Sequence, residues 1–156
     1  MRPKLTVALV LAPWLSTVTL LAAGPTNPPA APTRLKLEAL LIWGTNDHHS
    51  PDPTHKPADP DLLKKLHELP LKWTNYFVVN RKVLEVPLKG ATKAALSNKY
   101  EVEVKHLGGA KLEVSSFGKG KPVGKRTQPL PKSETLILGG NDKGGTTWLV
   151  MLKRIE

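Results

Sequence analysis

The chain of 156 residues contains no cysteine. That excludes disulfide staples, a thiol nucleophile, a thiolate zinc site and a lipid-modified cysteine anchor. Stability therefore has to come from a packed core. Aromatic residues are scarce at 5%, leaving few rings to stack on bases and disfavouring nucleic acid as a partner. Acidic residues are also in deficit: 13 stand against 23 Lys and Arg, for a formal net charge of +10. The usual catalytic signatures are missing too. Ser50, Ser97, Ser115, Ser116 and Ser133 lie in neither G-x-S-x-G nor S-x-x-K. "GGNDKGGT" at residues 139–146 has the spacing of a phosphate loop. Gly145 occupies the lysine position, however, and a strand-like stretch follows where a helix should begin, so the segment reads as a hairpin turn. "GKGKPVG" departs from the dinucleotide fingerprint at Val123.

What is present supports one domain with appendages. Hydrophobic residues make up 40% of the chain, enough for a core and unlike a disordered composition. Arg2 and Lys4 precede the uncharged run 5–23, which closes on Ala22, Ala23 and Gly24. Charged start, apolar middle and small-residue exit are the pattern of a secretory signal, so residues 1–23 are expected to direct export. The alternative is an uncleaved anchor, because the run approaches the roughly 20 residues that span a bilayer. Residues 24–33, "GPTNPPAAPT", are proline-rich and favour an extended spacer. The folded domain is expected over residues 34–156. Export without disulfides points to a bacterial envelope, periplasmic or extracellular.

Within that domain the patterning is mainly of period two. In "RLKLEALLIWGT" (34–45), Leu35, Leu37, Ala39, Leu41 and Trp43 share one face, while Leu40 and Ile42 make the other face apolar toward the end. "DPDLLKKLHELP" carries helix punctuation: Asp59 to cap, Pro60 at the first position, Pro70 to stop. A helix over residues 60–69 presents Leu62, Leu63, Leu66 and Leu69 on one side and is too short to stand alone. Strand signals follow from Trp73, with Asn80 and Arg81 suggesting a hairpin turn between "KWTNYFVV" and "KVLEVPL". Between "KYEVEVKHL" and "AKLEVSSF", a two-residue loop would oppose Val104 to Glu113, so a glycine-bulged turn at Gly108 and Gly109 is expected. "KPVGKRTQPL" looks irregular, and "ETLILGG" and "TTWLVMLKRI" close the chain. About seven strands with turn signals between them imply an antiparallel β-sandwich or small barrel carrying one docked helix.

Three functional readings follow. The tally is clearly basic from Leu62 onward, and losing Arg2 and Lys4 with the signal still leaves a charge of about +8. A non-enzymatic binding or structural protein of the envelope is therefore expected, meeting an anionic polymer, lipid headgroups or an acidic protein through Lys119, Lys121, Lys125 and Arg126. The second reading is a metal-dependent hydrolase using the loop 47–59, where His48, His49 and His55 accompany Asp47, Asp52 and Asp59. Against it, the prolines there are loop formers, and adjacent His48 and His49 point apart in an extended segment. The third is a self-assembling module joined through exposed strand edges. His67 and His106 read as surface residues. Glu101 and Glu103 lie opposite Val102 and Val104 on a solvent face, which is not how a pair of catalytic carboxylates is placed. No cofactor is expected.

Overall fold

The strand at 34–45 organises the molecule. In the computed structural model, which describes residues 34–141 and 144–156, β1 (Arg34–Thr45) is half exposed at its start and buried on both faces from Ala39 onward. Its odd-numbered residues Leu35, Leu37, Ala39 and Leu41 face one core, and its even-numbered Leu40 and Ile42 face another. Alternation of this kind places one strand between two apolar layers. The expected signal peptide (1–23) and proline-rich spacer (24–33) lie outside the described residues.

The first layer comes from the segment after β1. The two-residue β2 (Lys56–Pro57) precedes α1 (Pro60–His67). Asp59 caps the helix, its carboxylate accepting from the Leu62 amide at 2.9 Å, and Asp61 in the first turn with Lys64, Lys65 and His67 in the last suits the helix dipole. The helix ends at His67, two residues short of the expected 69, with Glu68 as its C-cap. Leu62 and Leu66 are buried against Leu40, Ile42, Trp73, Leu149 and Met151. Each contributes about 2 kcal/mol of apolar burial, which an isolated helix of this length would lack.

The remaining strands form two antiparallel sheets. They are β3 (Asn75–Pro87), β4 (Ala91–Ala95), β5 (Tyr100–Gly108), β6 (Lys111–Gly118), β7 (Lys121–Pro129), β8 (Thr135–Asn141) and β9 (Thr147–Arg154). One sheet has the order β2-β3-β1-β9-β8 and the other β4-β5-β6-β7. Between them pack Leu37, Ala39, Leu41, Val86, Val102, Val104, Leu112, Val114 and Leu152, all essentially inaccessible. The architecture is a β-sandwich with a helix on its outer face, and the sheets do not close into a barrel. No helix among the described residues is long and apolar enough to cross a membrane.

Several local expectations are corrected. Asn80 and Arg81 do not turn the chain: β3 runs through them and pairs with β1 along its length, from Thr45↔Asn75 to Arg34↔Pro87. The bulge falls just before the pair, at Val79, where the register shifts: Leu41 faces Asn80 while Ile42 faces Val78. The kink brings the Asn80 amide to the other sheet, donating to the Leu96 carbonyl at 2.7 Å. β4, "ATKAA", carried too little hydrophobic contrast to be read as a strand. "KPVGKRTQPL" holds a single strand, β7, with its own register shift between Ser116 and Phe117. The glycine-bulged turn is present: Val104 faces Val114, the register shifts between His106 and Gly108, and Gly108 and Gly109 adopt φ of 113° and 56°. His106 is not a surface residue but 5% exposed. The Lys89 amide donates to its Nδ1 at 3.4 Å, so Nε2 carries the hydrogen and donates to the Gly109 carbonyl at 2.8 Å.

Candidate functional site

The sandwich packs unevenly along its length. At the end where β1 finishes and β5 begins, rings replace aliphatic side chains: Trp43 lies 6.0 Å from Phe77 and 6.5 Å from Trp148. Trp148 in turn packs on Tyr100 with centroids 4.7 Å apart and planes tilted by 30°, within the range over which rings attract. Register explains the meeting. Trp43 faces Trp148 across β1 and β9, and Tyr100 has the same strand parity as Val102 and Val104, so it also points between the sheets.

Trp43 and Phe77 are buried, whereas Tyr100 and Trp148 are half-buried. The pair forms a wall shared by two clefts. One, of about 280 Å³, lies between the edges of the two sheets and is bounded by Ser116, Val123, Leu138, Gly139, Gly140 and Val150. The other, of about 460 Å³, is bounded by Thr54, His55, Asn80, Ser97, Asn98 and Lys99. Glycine keeps the first cleft open. Gly140 faces Trp148 across β8 and β9, and a Cβ there would meet nothing within 4 Å. At Gly118, directly opposite Tyr100, a Cβ would press on the tyrosine ring at 3.3 Å.

The four basic residues singled out from sequence separate in space. Lys119 and Lys121 lie at the aromatic end: Lys121 faces Gly118, and the Lys119 amide donates to the Lys99 carbonyl at 2.6 Å. Lys99, which sequence patterning did not flag, joins them, and none of the three lysines forms an ion pair among the described residues. Lys125 faces Ser115 on the outer side of the four-stranded sheet and pairs with Glu113 at 3.0 Å. Around it that outer face mixes signs, with Lys93 paired to Glu101 at 2.9 Å and Lys105 directly opposite Glu113. Arg126 faces Val114 on the opposite side of the pleat and borders a groove of about 720 Å³ beside β8 and α1.

The histidine-rich loop is held by its own hydrogen bonds. The ring of His55 meets Ser50 Oγ at 2.7 Å and approaches Asp52 at 3.6 Å. The Asp52 carboxylate accepts from the Thr54 hydroxyl at 2.6 Å and the Thr54 amide at 2.8 Å, and these bonds hold it below the usual carboxylate range. His48 and His49 are exposed, and among the described residues no group of three His, Asp or Glu side chains is arranged to hold a metal ion. His55 also packs its ring 6.3 Å from Trp43, closing the loop over the aromatic end. None of the family models, curated proteins or solved structures compared with the chain matches it.

Tyr100 and Trp148 were not singled out from sequence, where aromatics read as core. Their place at the end of a strand, beside Gly139 and Gly140 and next to Lys99, was the available signal.

Proposed function

We propose that this protein is an exported, non-enzymatic binding protein of the bacterial cell envelope that holds an anionic polysaccharide at the Tyr100–Trp148 end of its sandwich. The reading rests on one observation. A half-buried ring pair lines two clefts at the end of the molecule where Lys99, Lys119 and Lys121 lie free of ion pairs among the described residues. Flat aromatic faces take up the apolar faces of sugar rings, and the lysines meet carboxylates along the polymer. The charge of about +8 that remains without Arg2 and Lys4 raises the encounter rate with any polyanion. A concave slot suits a chain threaded between the sheets better than it suits lipid headgroups presented on a plane. At the rim of the second cleft His55 meets Ser50 Oγ at 2.7 Å and approaches Asp52 at 3.6 Å, but the Asp52 carboxylate is engaged by Thr54 and all of these groups brace the turn of a single loop, which is why binding is favoured over hydrolysis.

The test uses a soluble polyuronate as probe, with neutral dextran as control and anionic vesicles as a third arm. Wild-type protein is expected to bind polyuronate with a change in tryptophan emission, and to bind more weakly as salt rises. Both Tyr100→Ala and the triple change of Lys99, Lys119 and Lys121 to Glu are expected to weaken binding at least tenfold, with thermal unfolding showing that the fold persists. Equal affinity for dextran, or binding to vesicles alone, overturns the reading. So does polyuronate binding that both variants leave intact.

A further inference from the structure

Among the described residues four strands end the two sheets, and three of them are guarded. β2 is two residues long and consists of Lys56 and Pro57; it covers only Phe77 and Val78 of β3, whose remaining open edge is bulged and carries Arg81, Lys82 and Glu85. β4 has five residues with Lys93 at its centre. β7 carries Pro122, Lys125, Arg126 and Pro129 and is bulged. Short length, prolines, charges and bulges are the devices that keep edges from pairing with other chains. β8, "TLILGGN", has seven residues and none of these guards.

Its free backbone can be assigned. The Arg154 amide donates to the Glu134 carbonyl, so by antiparallel alternation Leu136, Leu138 and Gly140 turn their polar groups toward β9. Thr135, Ile137 and Gly139 turn theirs outward. Those three residues border the groove of about 720 Å³, and among the described residues no strand pairs with this side. The rim decides the occupant. It holds Lys65 and Arg126 against Glu68 and Glu134, one cation for each anion, on a chain whose net charge is +10. Two copies carrying that charge repel one another, and this balanced strip adds nothing to the repulsion.

We propose that β8 is a self-docking edge, at which a second copy of this chain adds its own β8 antiparallel and extends the five-stranded sheet across a two-fold axis. Main-chain hydrogen bonds from Ile137 and Gly139 supply the attraction, and a symmetric pair of like edges closes the assembly at two copies. This inference is independent of polymer binding and is read without polymer.

The experiment measures the mass of the full chain by light scattering in a mild detergent that masks the apolar stretch 5–23. The expected result is a concentration-dependent doubling of mass, with the Ile137 and Gly139 amides gaining protection from hydrogen exchange as the dimer forms. Gly139→Pro removes an outward amide and blocks the edge, and is expected to give monomer. Ile137→Lys, which adds the missing charge, is expected to do the same, so the test survives if one variant folds poorly. Thr127→Pro on β7 is expected to leave the dimer intact. A wild-type chain that stays monomeric at every concentration overturns the proposal, as does a dimer that both β8 variants leave unchanged.

Discussion

The five-stranded sheet is apolar on both faces where α1 covers it, and the four-stranded sheet on one. β1 and β9 send alternate side chains to the helix layer and to the sandwich core. β5 and β6 bury Val102, Val104, Leu112 and Val114 while their outer residues, Glu101, Glu103, Lys105 and Glu113, are charged. A strand covered on both sides has no side chains left over for recognition. A strand covered on one side uses its outer face for solubility, since the charges there answer one another. Recognition falls instead to the ends and edges, where covering elements stop.

The most severe way to break this contrast is to hollow out a shared core. Leu41→Ala is expected to cost about 2–5 kcal/mol and to lower protection from hydrogen exchange in both sheets together. Leu66→Ala removes a comparable side chain from the helix layer alone. Protection should then be lost first over residues 60–67 while Val102, Val104 and Val114 keep theirs; equal loss everywhere would show that the layers are not separable. His106→Leu is the next largest, leaving the Lys89 amide and the Gly109 carbonyl without their partner, for about 1–3 kcal/mol in denaturant titration.

Tyr76→Phe sharpens the comparison by pH. Burial holds the Tyr76 phenol above its ordinary value of 10.0, so the folded chain keeps a proton that the unfolded chain releases. That contribution is complete below pH 10 and lost as pH rises through the folded value. Tyr76→Phe is expected to cost about 1 kcal/mol at neutral pH, through the bond to the Trp73 carbonyl, and to show a shallower alkaline decline than wild type. The smallest effect is expected at Glu113→Gln on the solvated face, under about 1 kcal/mol and further reduced by salt, because its partner Lys125 is 62% exposed.

The same contrast decides what was legible in the sequence. Strands with one wet face announced themselves: the Val102, Val104 alternation implied both the pairing and the bulged glycine turn, and Asp59, Pro60 and the leucine spacing implied the helix. β1 was readable because its two faces became apolar one after the other. Asn80 and Arg81 misled, since a polar pair inside an apolar run signals a turn locally, whereas here the long partner strand β1 keeps the chain extended, pairs with both residues and leaves the bulge at Val79. The site was less visible. Lys119 and Lys121 were found by charge, but strand parity sends Lys125 and Arg126 to opposite sides of the pleat, and Lys99 arrives beside Lys119 through a contact between turns. Tyr100 and Trp148 come from strands of different sheets, so their packing depends on tertiary register.

The position of β1 has a consequence in time. The four-stranded sheet joins neighbours in chain order, and its hairpins can close as soon as each turn is made. β1 lies between β3 and β9, with Leu37 facing Arg154, so the first of the described strands in chain order waits for the last of them. Such distant pairing is slow, and until it happens the strand that ends buried on both faces lacks its second neighbour. A polypeptide stopped short of residue 147 is expected to be found in aggregates, held there by the strand that would otherwise be its spine.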